Sequence, residues 1–225
     1  MKVLNNVAQL GDVELFAHLV NRGADPQRSL ALHAVAMCRD PEKAKTMIDH
    51  LLNVHHMDLE AHNGALREHM FRHDSGTPAR CAVHHRNLDT LSHLLLRGAD
   101  PERAIGYAVG NILYRKFLPA VGLLINAGAN ADRALGQAVK NKDIEAAKIC
   151  LAHGADVSVV IEEQREKTAR QQVRREREAN GTWGDGDGHH DSHPSEDDEK
   201  DANVRTRMEE FLLSVERTKR RASEE

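Results

Sequence analysis

One turn is written repeatedly along this chain, and it restricts the possible folds more than any other feature. "RGADPQR" (Arg22 to Arg28) returns almost unchanged as "RGADPER" (Arg97 to Arg103), and more loosely as "AGANADR" (Ala127 to Arg133). Gly154 opens a further Gly-Ala-Asp. Counting back ten, seven, four and three residues from Gly23 gives Val13, Phe16, Leu19 and Val20. From Gly98 the same count gives Leu88, Leu91, Leu94 and Leu95. From Gly128 it gives Leu118, Val121, Leu124 and Ile125, and from Gly154 Ile144, Ala147, Cys150 and Leu151. Every one is apolar, and the spacing covers one face of a helix. Each glycine then ends its helix, because the residue after the last turn takes positive φ and glycine does so cheaply.

A second signal precedes each of these helices but the first. Ala-Val occurs in "ALHAV" (Ala31 to Val35), "ARCAV" (Ala79 to Val83), "IGYAV" (Ile105 to Val109) and "LGQAV" (Leu135 to Val139). Small residues there let neighbouring helices approach closely. The chain therefore reads as helix, short turn, helix, glycine turn, over and over. The spacings from Asp25 to Asp58, Asp100, Asn130 and Asp156 are 33, 42, 30 and 26 residues. Periods of this size indicate stacked helical pairs. Aromatic residues are only 3% of the chain, which suits tightly packed helices better than a sheet sandwich.

These residues resemble the ankyrin repeat family. The fullest copy is "DSGTPARCAVHHRNLDTLSHLLLRGAD", Asp74 to Asp100, where Gly-Thr-Pro, Ala-Val, Leu-Leu-Leu and Gly-Ala-Asp fall at the family's spacing. The resemblance covers roughly residues 1–157, about five repeats. It implies an all-α ankyrin-type helical-repeat solenoid. Departures are visible. The family's Thr-Pro-Leu-His becomes "TPAR" at Thr77 to Arg80. The family's long finger shrinks in "DPQRSL", "DPERAI" and "NADRAL", where Asp or Asn can cap the next helix and proline fits its first turn. "LLNVHHMDLE" lacks a glycine in its turn, and "AHNGALREHMFRH" (Ala61 to His73) inserts a finger or a short helix.

Residues 158–180 read as a charged capping helix, with Ser158 as N-cap. Residues 181–201, with Trp183 as the one large apolar side chain, read as a disordered Gly/Asp/His-rich linker. Residues 202–225 regain helical periodicity as an amphipathic tail, with Val204, Met208, Phe211, Leu212 and Val215 on one stripe. That helix either folds back on the rest, or is recognised by another protein, or has no stable structure alone.

No catalytic motif is present: no phosphate-binding glycine loop, no G-x-S-x-G, no H-E-x-x-H. The three cysteines form no CxxC pair, and Cys81 and Cys150 fall on packing faces. Reduced thiols and the lack of a visible secretory signal point to the cytosol or nucleus, not secretion. The net charge of −4 gives no general attraction to nucleic acid or anionic membrane. In "RQQVRRERE" the interleaved glutamates argue for internal ion pairs. Asp185, Asp187, His189, Asp191, His193 and Glu196 faintly echo a calcium loop, but His190 stands where glycine is needed. No cofactor or structured metal site is expected. Ser223, in "RRAS", matches a basophilic kinase site, where phosphate would counter Lys219 and Arg220 and loosen contact with an acidic partner.

The resemblance implies a noncatalytic scaffold or adaptor that binds a protein partner on stacked first helices, as a monomer. The expected contacts are the pairs after each Ala-Val: Ala36-Met37, His84-His85, Gly110-Asn111 and Lys140-Asn141, with Arg103, Tyr107 and Arg133 nearby. The alternatives are a metal-responsive role for the Asp/His-rich tail and a targeting subunit of an enzyme complex.

Overall fold

The computed structural model describes residues 2–63, 76–110, 116–179 and 196–224. Among them every regular element is helical and no strand occurs. The chain divides into two units, residues 1–130 and 131–225.

The first unit holds α1 (Lys2–Leu10), α2 (Val13–Asn21), α3 (Ala31–Ala34), α4 (Pro41–Asn53), α5 (Pro78–His84), α6 (Leu88–Leu96), α7 (Glu102–Val109) and α8 (Leu118–Asn126). Odd-numbered helices pack on one another in chain order, and even-numbered helices do likewise. Two rows of helices result, sharing one core. The small residues explain the closeness of the odd row: Ala34, Val35, Ala82, Val83, Ala108 and Val109 are all buried. From the even row, Phe16, Leu91, Leu94, Val121 and Leu124 are fully buried, whereas Val13, Leu88, Leu118, Leu95 and Ile125 are half-buried at the edge of the stripe. Leu19 is only half-buried, unlike Leu94 and Leu124 at the same register.

The second unit holds α9 (Ala131–Lys140), α10 (Ile144–Ala152), α11 (Val157–Ala179) and α12 (Glu196–Glu224). Helix α9 packs on α10 and α11, and α11 on α12. Helix α11 begins one residue earlier than expected, and Ser158 is not its cap. The side chain of Asp156 accepts from the Ser158 N–H at 3.0 Å and closes the helix end. Helix α12 also starts early, so residues 196–201, expected as linker, are helical; the run Glu-Asp-Asp-Glu suits the positive end of a helix. The remainder of the expected linker, 181–195, lies outside the described residues, with Trp183 and the Asp/His series.

The glycine turns share one geometry. Gly23, Gly98, Gly128 and Gly154 have φ of 96°, 95°, 108° and 92°. In each, the glycine N–H donates three residues back and the next alanine N–H donates five residues back, as in Gly98 to Leu95 O and Ala99 to Leu94 O, both at 3.0 Å. That is a Schellman ending. In the glycine-free turn, His56 takes the positive φ, 49°.

The residue two after each turn's Asp or Asn ties one turn to the next. Glu60 accepts from the Asp100 N–H at 2.8 Å, and Glu102 from the Asn130 N–H at 2.8 Å. In the second unit Asp132 accepts from the Asp156 N–H at 2.5 Å. A carboxylate bonded to a backbone N–H is among the stronger hydrogen bonds. After Asp25 the next helix does not follow directly: a 3₁₀ turn, Pro26–Arg28, comes first.

Candidate functional site

The turns that lead from an odd helix to an even helix carry the exposed polar residues. Here too the chain takes positive φ, but not always with glycine: Gly11 is at 69°, Arg86 at 57° and Lys142 at 57°. The next residue caps the following helix. Asp12, Asn87 and Asp143 accept from the N–H of Leu15, Thr90 and Ala146 at 2.9, 3.1 and 3.1 Å. A non-glycine residue in the left-handed region carries about 1–2 kcal/mol of strain. At Arg86 and Lys142 the chain accepts that strain and places a cation there.

Asn87 also reaches the preceding helix pair. Its amide donates to the carbonyls of Ala36 at 3.2 Å and Cys38 at 2.8 Å. This bond pins the turn after α5 against the 3₁₀ turn Val35–Met37. An open cleft of about 640 Å³ lies beside it, lined by Met37, Arg39, His85, Arg86, Asn87 and Leu88 among others. Three expected contact residues, Ala36, Met37 and His85, thus line one concavity, though Ala36 is buried. Arg39 and Arg86 are exposed at it, while Met37 and Leu88 are half-buried. The guanidinium of Arg86 lies 5.0 Å above the ring of Phe117. Cys38 also faces the cleft but is buried.

No protein-family model matches this chain, and no curated protein matches it. Its chemistry has to be read from these side chains.

The other expected contacts are scattered. His84 is half-buried at the end of α5, and its Nδ1 lies 2.5 Å from the Tyr107 hydroxyl. Tyr107 itself is buried, with the Arg80 guanidinium 4.6 Å above its ring, so it supports His84 rather than facing outward. Ala36 and Gly110 are buried as well, because the odd row packs through them. Asn111 lies outside the described residues. Arg103 is exposed but sits 3.4 Å from Glu60 and 3.5 Å from Asp100, an ion-pair role at the glycine turn. In the second unit, Arg133 and Lys140 are exposed on α9 and Asn141 is half-buried just after it, taking a hydrogen bond from Gln137 at 3.1 Å. Ser223 falls near the end of α12.

Sequence reasoning missed Arg39, Arg86 and Asn87. It also missed His33, which is buried and whose Nε2 donates towards the carbonyls of Ala61 (3.0 Å) and Gly76 (3.1 Å). Asn63 and Gly76 exchange two hydrogen bonds, 3.2 and 2.7 Å, beside it. Both His50 and His55 pack on Phe16, with their Nε2 atoms 3.2 Å apart. Partial burial lowers the pKa of each, and the neighbouring His50 and His56 add to the lowering at His55. Cys81 and Cys150 are buried where the helical pattern put them, and burial pushes the Cys150 thiol up to about 11. Among the described residues no group of three or more His, Cys, Asp or Glu side chains is placed to hold a metal ion. Nor is any helix there long and apolar enough to cross a membrane.

Proposed function

We propose that the chain is a noncatalytic protein-binding module of ankyrin type, engaging its partner at the ends of the odd-numbered helices. The observation that carries this reading is the cleft where Met37 and His85 meet Arg86. It is concave, it mixes apolar and polar groups, and its base is held by the two hydrogen bonds from Asn87. Such a preorganised surface loses little freedom on binding. The recurring Schellman turns, the row-on-row packing in the first unit and the repeated carboxylate ties support the repeat architecture. Fold alone does not specify function, so the weight rests on the cleft.

Affinity capture with the immobilised full chain, compared with a Met37→Ala/His85→Ala double variant, tests the proposal. Captured proteins should drop out of the variant while its circular-dichroism melting curve stays unchanged. Equal recovery by a folded variant would remove the cleft as the binding surface.

A further inference from the structure

We infer that the cleft takes an acidic peptide segment, one that brings carboxylates to Arg39 and Arg86 on either side of an apolar residue. The inference rests on the proposed binding role and adds the chemistry of the partner. Both guanidiniums are exposed at the cleft, and neither has a carboxylate partner among the described residues. Two arginines elsewhere in the same unit are differently placed. Arg97 is held by Asp49 and Asn53, and Arg103 by Glu60 and Asp100.

Two of the three acidic side chains near the cleft are already engaged. Asp40 caps α4, accepting from the N–H groups of Glu42 and Lys43 at 3.1 and 3.2 Å. Glu42 pairs with Lys45 at 2.7 Å, whereas Asp89 is exposed and itself lines the cleft. Two guanidiniums therefore share the cleft with one carboxylate, which leaves it a net positive charge. Arginine binds carboxylates through a planar fork of donors, and the ring of Phe117 covers one face of Arg86 while leaving its N–H edge available. In the same cleft, Met37 and Leu88 are half-buried and offer an apolar seat; methionine adapts to the shape of what it meets.

A nucleic acid fits this surface less well. Binding a single strand calls for aromatic faces on which bases stack. Here Tyr107 is buried beneath Arg80, and Phe117 is buried beneath Arg86.

The test uses the full chain and a fluorescein-labelled decapeptide of glutamates with one central leucine. A glutamine counterpart and an oligothymidylate of similar length serve as comparison probes. Fluorescence polarisation should show the glutamate probe binding about ten-fold or more tightly than the glutamine probe. Its affinity should weaken as salt rises from about 50 to about 300 mM. An Arg39→Glu/Arg86→Glu variant, checked for an unchanged melting curve, should lose the binding, and Arg39→Lys/Arg86→Lys should keep part of it. Four results would overturn the inference: no binding of the glutamate probe, equal binding of the glutamine probe, persistence in the charge-reversed variant, or tighter binding of the oligothymidylate at the same residues. If protein capture depends on Met37 and His85 but any of these results is found, the binding role stands and the acidic chemistry falls.

Discussion

Gly98 holds φ at +95°, and a methyl group added to its Cα would meet nothing within 4 Å. Alanine there would therefore test backbone conformation alone. The left-handed strain of about 1–2 kcal/mol is partly offset by about 0.4–1 kcal/mol of lost unfolded-chain freedom. Gly98→Ala should lower stability by about 1 kcal/mol in urea titrations. The opposite change is open at His56, which carries positive φ in the glycine-free turn. His56→Gly should raise stability by up to about 1 kcal/mol, and a loss there would show that the imidazole is held by something stronger than conformational strain. The pair His50 and His55 makes stability depend on pH. Their folded pKa values lie below the ordinary one, so the folded chain resists protons that the unfolded chain takes up. The contribution is whole above the unfolded value of about 6.5 and is lost as pH falls from there towards the lowered folded values. Protonating both rings would also set two N–H donors against each other across 3.2 Å. The urea midpoint should fall between about pH 7.5 and about pH 5 by more in the natural chain than in a His50→Gln/His55→Gln variant. Identical slopes would refute the assignment.

Whole helices are held by burial more than by charge, and α12 shows the contrast. Met208 and Leu212 are 2% and 3% exposed, while Lys219 reaches the Ala155 carbonyl at 3.3 Å and lies 3.8 Å from Asp156 with half its surface in water. Leu212→Ala should weaken the docking of α12 by about 2–4 kcal/mol; Lys219→Ala should change it by less than about 1 kcal/mol. Native-state hydrogen exchange along α12 would separate them, and equal protection in the two variants would contradict this ranking. The tail's apolar stripe was legible in the sequence, but which of its possible fates it took was not, since period and composition do not say what a stripe faces. The glycine turns were legible to the residue, because one residue type meets the demand for positive φ at Gly23, Gly98, Gly128 and Gly154. The turns at Gly11, Arg86 and Lys142 make the same demand with three different residues, so no pattern announced them. For that reason Arg86 and Asn87 escaped notice while their neighbour His85 did not. Tyr107 was misplaced outward because its cover, Arg80, lies 27 residues away in sequence.

For the molecule as a whole, the three thiols report on both units at once. Cys38 and Cys81 are buried in the first and Cys150 in the second. A thiol-specific reagent at mildly alkaline pH should label the native chain slowly and all three sites rapidly in concentrated urea. Cys38, beside the cleft, should react first and Cys150, with its raised pKa, last. Rapid labelling of Cys150 in the native chain would show that the core of the second unit opens readily. Glu60, Glu102 and Asp132 each hold the N–H of the next turn within their own unit, and each turn supplies its own carboxylate two residues on, save the first, where Gln27 stands, and the last, where Ser158 stands. A stretch of chain copied from one such turn to the next would arrive with an acceptor for its neighbour and a donor for its predecessor. Inheritance could lengthen or shorten a protein of this kind by duplication or loss of a block, with no fresh contact to invent at the seam.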